Sequence, residues 1–302
     1  MINIIGNIIG SLFSSGYDQA VSDWLSRLDS LGITKPSAPV INSVNELVIG
    51  LKTNGLWSRG KTLNIYGFGA VNTGVVNIFS PLTYQHTFPA GNPDFLEGSG
   101  IKSNNTTTYV NTQYAINEYV GIETDLTTII YISESSTASS STKIGFGSRA
   151  LAAGATPDYR FIPLATAGTG SRSHYGTADT FLNSNMKGLY IETYKSGNSV
   201  LYKDWNGVTG VRDVQAVVPI VPDISNKVFF LARNGNGAGG STPSSFMPHY
   251  CVLLARFDSF SDSDATTFKT LWDAFRVGVG LLVVFASSII NFSMTAVNFS
   301  MT

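Results

Sequence analysis

A chain of 302 residues can bury a sizeable core, and one large β domain with small appendages fits that length better than two equal domains. Charged residues make up only 13% and the formal net charge is -1, with no run of Lys or Arg, so the electrostatic footprint of a nucleic-acid binder is missing and that partner is excluded. The 30 glycines and the frequent Ser, Thr and Asn describe a polar, mostly uncharged surface, as on extracellular β proteins, lectins, adhesins and virion proteins.

In chain order, residues 1–17 read as an apolar N-terminal anchor segment. Met1 to Phe13 is apolar but lacks the positive n-region and the convincing cleavage site of a secretory signal. Residues 18–57 read as a helical hairpin lead-in. Val21, Trp24, Leu25, Leu28 and Leu31 make one stripe over 18–31, ending before Gly32. The stretch from Lys35 to Pro39 breaks the chain. A second helix from about Asn42 to Thr53 carries Val44, Leu47, Val48 and Leu51 and stops at Asn54-Gly55.

Residues 58–276 read as a sandwich. Strands are expected at 62–68, 75–79, 107–113, 126–134, 143–148, 158–164, 188–195, 199–205, 227–234 and 248–257, with a hairpin turn at Ser196-Gly197-Asn198. Stretches 137–142, 165–170 and 234–245 read as surface loops. Many short strands punctuated by Gly, Asn and Ser are the pattern of a sandwich or jelly roll. Then comes a helix: Ser261 is placed to cap it with Asp264 at its third position, and Phe268, Leu271, Trp272 and Phe275 form one apolar stripe.

The uncharged tail, 277–302, allows three readings. A subunit interface comes first, membrane contact over 277–297 second, because that length approaches the roughly 20 residues of a spanning helix, and simple core third. Ser287, Ser288, Asn291, Ser293 and Thr295 dilute the membrane reading, and the repeat NFSMT at 291–295 and 298–302 has β character.

Two segments carry a family resemblance. The run from Tyr250 to Phe275, a strand, a Phe-Asp-x-Phe-Ser-Asp turn and a Phe-x-x-Leu-Trp helix, resembles the closing segment of concanavalin-like, laminin-G-like jelly-roll domains. NELVIGLKTNGLWSRGKTLNIYGFGA, Asn45 to Ala70, is similar to a lead-in that precedes such jelly rolls in structural proteins of phages infecting Bacteroidetes. The motifs are packing motifs, with only pattern-level similarity between them. The resemblance implies a mainly β protein: a concanavalin-like jelly-roll sandwich with an N-terminal helical hairpin and a helix after its last strand.

The search for chemistry returns little. Cys251, the one cysteine, sits in an apolar strand and reads as an inert buried thiol. Glycan hydrolases of this class place two carboxylates on one strand face about 5 Å apart. Glu118 and Glu123 have odd spacing, and Glu123 with Asp125 lacks a third acid. His86, His174 and His249 form no metal-ligating pair, and no Gly-x-Ser-x-Gly elbow or phosphate loop occurs. Structural calcium stays open with no site assigned: Asp94, Glu97, Asp179, Asp204 and Asp213 fall in expected loops without a D-x-[DN]-x-[DN]-G block. No other cofactor is implied.

For sugar binding, which asks for an aromatic ring beside hydrogen-bonding side chains, the candidates are Arg172, His174 and Tyr175, and Asp204, Trp205 and Asn206. Ordinary sandwich packing is the competing reading of each. The sequence therefore leads to a non-enzymatic phage virion protein, assembled in the host cytoplasm as a spike, fibre or tail component. It would attach to host glycans, oligomerise, as a trimer for instance, and contact other virion subunits through both termini. The alternative is a bacterial surface or secreted glycan-binding module, and behind that a polysaccharide depolymerase.

Overall fold

The structure, a computed structural model, describes residues 16–83, 85–115, 125–137, 145–149, 158–166, 168–174, 177–195, 197–216, 227–234, 243–244 and 246–281. The expectations for residues 1–15 and 282–302, including the subunit and membrane contacts, lie outside these residues.

Helix α1 spans Gln19–Ser30, and Asp18 caps it by accepting from the Ala20 N–H at 2.9 Å. The same carboxylate takes Lys52 Nζ at 2.6 Å, which ties α1 to helix α2, Ala38–Thr53. Two details of the expected hairpin change. Leu31 leaves the apolar stripe and is exposed, because the helix ends one residue earlier. Helix α2 begins four residues before Asn42, since a proline in the first turn costs no intrahelical hydrogen bond and Pro39 therefore starts the helix rather than breaking it.

Sixteen named strands follow: β1 Gly60–Ile65, β2 Asp94–Leu96, β3 Gly100–Lys102, β4 Val110–Ala115, β5 Asp125–Ile132, β6 Phe146–Arg149, β7 Asp158–Thr166, β8 Thr169–His174, β9 Thr177–Leu182, β10 Gly188–Lys195, β11 Asn198–Lys203, β12 Val211–Ala216, β13 Lys227–Phe230, β14 Arg233–Asn234, β15 Pro243–Ser244 and β16 Cys251–Phe257. The first sheet runs β12-β11-β10-β5-β16-β3-β2, with β1 also on β16. The second runs β15-β14-β6-β7-β8-β9, and β13 joins β4 to β6. All pairs are antiparallel except the single contact of β14 with β6. The fold is mainly β, a two-sheet sandwich with a helix pair before it and helix α3, Asp262–Gly278, after the last strand.

The expected strand at 75–79 is absent. Thr73–Val75 is a 3-10 turn, and the Asn77 side chain then does the work of a strand neighbour: its Oδ1 accepts from Leu63 N and Phe79 N, and its Nδ2 donates to Lys61 O. The strand expected at 227–234 is broken at Leu231, whose φ is +64. The expected loop 165–170 shrinks because β7 runs to Thr166 and β8 starts at Thr169. Strands β8, β9 and β12 escaped the sequence reading because their small and polar residues carry no apolar alternation.

Cross-strand register explains the layers. One row of the first sheet reads Leu63, Ala255, Ile129, Ile191 and Tyr202 across β1, β16, β5, β10 and β11. All five are buried in the cluster that also holds Trp24, Val48, Phe268, Trp272 and Phe275, so this is the face the helices cover. The offset row, Asn64, Leu254, Ile130 and Tyr190, faces the second sheet; the last three join Phe146, Phe161 and Phe181 in the inter-sheet core. Helix α3 is held down by Trp272, whose ring meets that of Tyr131 on β5 at 5.6 Å, and by Arg276, which donates to the Tyr131 hydroxyl at 2.6 Å.

Ser261 and Asp264 form the expected capping box. Ser261→Ala removes one orphan N–H acceptor at the start of α3 and is expected to lower stability by about 1 kcal/mol, measured by urea unfolding.

The inter-sheet interior also holds His86, hydrogen-bonded through Nδ1 to the Tyr66 hydroxyl. Burial pushes its imidazole down to about 3, and the Arg256 charge adds to that. A histidine neutral in the fold but protonated when unfolded stabilises fully above about 6.5, and that contribution is lost as pH falls toward about 3. The melting temperature should therefore drop over that window, and more shallowly in His86→Gln. Equal slopes would show that His86 is not the titrating group.

Candidate functional site

The helices do not cover the whole outer face of the first sheet. A further row, Phe257, Thr127, Thr193, Val200 and Val214, starts beneath α3 and runs out into the open at β12. There it floors a groove of about 870 Å³. The wall is Phe260 to Ser263, the turn into α3, and Lys195, Asn198 and Tyr202 complete the lining. Two smaller crevices, about 340 Å³ between α2 and α3 and about 390 Å³ beside α1, lie elsewhere on the helical layer.

Four hydrogen bonds fix the wall to the floor. Phe260 N–H points to the hydroxyls of Thr127 and Thr193, each at 2.9 Å. The Tyr202 hydroxyl donates to Asp262 Oδ1 at 2.7 Å, and Arg212 Nε donates to Oδ2 at 2.9 Å. The Tyr202 hydroxyl bond, with Arg212 behind it, holds the Asp262 carboxyl below its usual range against the opposing effect of burial. Burial, then the Asp262 charge, pushes the Tyr202 phenol up. At neutral pH the pair is a carboxylate and a neutral phenol.

Tyr202 and Phe260 are nearly fully buried, so their rings support the groove from below, and the accessible apolar surface is Val200 and Val214. The rim carries an ammonium, an amide, serine hydroxyls and a carboxylate from Lys195, Asn198, Ser261, Ser263 and Asp262. Such a surface can meet a ligand's C–H faces in the middle and its hydroxyls at the edge.

The sequence candidates are placed differently. Arg172 on β8 is 1% exposed, and its Nη2 donates to Asp213 Oδ1 of β12 at 2.6 Å, a clamp between the sheets. His174 ends β8, with only its backbone described, and Tyr175 lies outside the described residues. Asp204, at φ +50, accepts from Leu189 N–H at 2.9 Å. Trp205 turns inward and packs on the helix-side core with its Nε1 buried, and Asn206 closes the turn by accepting from Val208 N and Thr209 N. Arg172, Asp204, Trp205 and Asn206 are thus engaged in folding contacts.

Of the carboxylates weighed for hydrolysis, Glu118 and Glu123 lie outside the described residues, and Asp125 accepts from the Ser259 hydroxyl. Of those weighed for calcium, Glu97 accepts from Gly69 N–H and Asp213 holds Arg172. Among the described residues no three His, Cys, Asp or Glu side chains gather to hold an ion, and no helix is long and apolar enough to cross a membrane. Cys251 is buried, which pushes its thiol up.

The groove residues went unread because Thr193, Val200, Val214 and Asp262 come from four separate elements. Strands at 188–195 and 199–205 are expected from sequence, but nothing in their residues says which face the last helix leaves open.

Fold and groove together define a two-sheet, mainly antiparallel β-sandwich with an open groove on its outer face. No family model and no curated protein matches the chain. Among solved structures it is similar to Trypanosoma rangeli sialidase, at TM-score 0.44 and 12% identity over 78% of this chain and 39% of that one. It is also similar to a mutant of HCR D/C VPI 5995, at TM-score 0.46 and 10% identity over 72% of this chain and 53% of that one. A mutant of NanB sialidase from Streptococcus pneumoniae matches at TM-score 0.35 and 13% identity over 51% of this chain and 26% of that one. The chain thus spans about two fifths of the trypanosomal enzyme's length.

These matches correct one expectation. The chain was read as a non-enzyme, whereas sialidases, which are enzymes, stand among the proteins it is similar to. At this distance the likeness concerns fold alone and brings no activity, substrate or residue role to this chain.

Proposed function

We propose that the chain is a glycan-binding module whose ligand lies in the groove on the outer face of the first sheet. The observation that carries this reading is the groove's make-up: Val200 and Val214 on an open floor, ringed by Lys195, Asn198, Ser261, Asp262 and Ser263. Sugars present both kinds of surface, C–H patches and hydroxyls, and a rigid strand floor holds the polar groups in place. The setting we propose is a phage particle, on the strength of the Asn45–Ala70 and Tyr250–Phe275 motifs, with the sandwich displayed as a spike, fibre or tail component and both termini meeting other virion subunits. The bacterial surface module remains the alternative setting, and the chemistry of the groove is the same in both.

The test is to present the full chain to an array of bacterial surface polysaccharides while following the release of reducing ends. Retention on a subset of the glycans supports the reading, and cleavage of the retained glycan would add a catalytic role. Retention on none removes it.

A further inference from the structure

We infer that two copies of this chain pair through β12, antiparallel and centred on Val214, so that their first sheets join into one. This inference does not rest on the nature of the groove's ligand.

β12 is the terminal strand of the first sheet. It pairs with β11 residue for residue, from Asn198↔Ala216 to Lys203↔Val211, with no bulge, and among the described residues no strand pairs with its other edge. An edge of this kind offers a row of backbone N–H and C=O groups, and proteins ordinarily blunt such edges with charged side chains, proline or a bulge. β12, reading VRDVQA, has no lysine, proline or bulge, and its two charges are drawn off the edge, Arg212 to Asp262 and Asp213 to Arg172.

The border around it is apolar and exposed. Val214 on β12 is 47% exposed, Val208 in the preceding turn 85% and Leu182 at the end of β9 75%. Leu182 belongs to the same border, because Asn183 beside it accepts from Lys203 Nζ at 2.6 Å, and Lys203 pairs with Val211. Exposed apolar groups along one unblunted edge mark an interaction surface.

Register selects the partner. A twofold axis normal to the sheet sets residues of the same face opposite each other, so it must pass through one residue. Through Asp213 or Arg212 it would bring two like charges face to face, and through Val211, Gln215 or Ala216 it would pair three residues of the strand or fewer. Through Val214 it sets valine against valine, Arg212 against Ala216 and Asp213 against Gln215, with no like charges opposed. The strand is self-complementary in that register, as an isologous interface must be. The second copy also extends the site: the floor row of Thr193, Val200 and Val214 continues into Val214 and Val200 of the other chain, joining two grooves into one longer surface.

The test uses the full chain. Opposed residues at the centre of an antiparallel pair have Cα atoms about 4.5–5.5 Å apart, within reach of a disulfide, and Cys251 is buried. Val214→Cys is expected to cross-link to a dimer on mild oxidation, while Val208→Cys, more exposed but off the axis, is not. Val214→Lys, which opposes two ammonium groups, is expected to halve the mass seen by light scattering with unchanged circular dichroism. A single-chain mass for the native protein, a mass unaffected by Val214→Lys, failure of Val214→Cys to cross-link, or equal cross-linking through Val208→Cys would each overturn the inference.

Discussion

Trp272→Ala is expected to be among the most damaging single changes in this chain, costing about 4 kcal/mol, the range for emptying a fully buried tryptophan. Trp272 has no exposed surface; it stacks on Phe275 at 4.8 Å and meets Tyr131 of β5 at 5.6 Å, so it is the contact that seats α3 on the first sheet. The surroundings cannot close the gap readily, because the helix is also held by Arg276 on Tyr131 and, at its other end, by Tyr202 and Arg212 on Asp262. The melting temperature should fall by roughly 10 °C. Since the first turn of α3 walls the groove, ligand affinity should fall as well. A loss under about 1 kcal/mol would mean that the helix is not packed as described.

Gly100→Ala should be comparably severe for a different reason. Gly100 opens β3 with φ +106, a region that an L side chain rarely adopts, and a Cβ there would lie 2.1 Å from the backbone oxygen of Cys251. That oxygen belongs to β16, the strand that β1, β5 and β3 all pair with, so it cannot move without disturbing the sheet. Strain and clash together are expected to cost about 4 kcal/mol. Gly168→Ala is the comparison: it also has positive φ, but a Cβ there would meet nothing within 4 Å, so it should lose only the conformational part, about 1 kcal/mol. Urea unfolding of the two variants side by side reads the difference.

The fold was legible where local signals agreed. In Ser261 to Phe275 the cap, the third-position acid and the apolar stripe all specify one helix, and the structure has it with its capping box. The 188–195 strand was read at its observed bounds, since it is rich in aromatic and β-branched residues, Tyr190, Ile191, Thr193 and Tyr194. Strands β8 and β9 were not legible: TGSRSH and TADTFL are strands because neighbours pair with them, a tertiary cause that leaves no local mark.

The site was harder still. Trp205 sits among polar turn residues, a setting that fits sugar contact and packing alike; Asp204 takes up φ +50 to reach Leu189 and the ring folds inward. Arg172, a sugar candidate with sandwich packing as its competing reading, is the buried clamp on Asp213. The groove depends on how far α3 reaches across a sheet whose row order only the pairing establishes.

The groove as ligand site is tested most directly by the affinity of an array-selected glycan for three proteins: the native chain, the double variant Lys195→Ala/Asn198→Ala, and His174→Ala. Both rim side chains are exposed, so the double variant should fold normally. The account predicts that it loses at least tenfold, about 1.4 kcal/mol, while His174→Ala binds as the native chain does. Full affinity in the double variant with loss in His174→Ala would contradict it and move the site to the strand that carries Arg172 and His174.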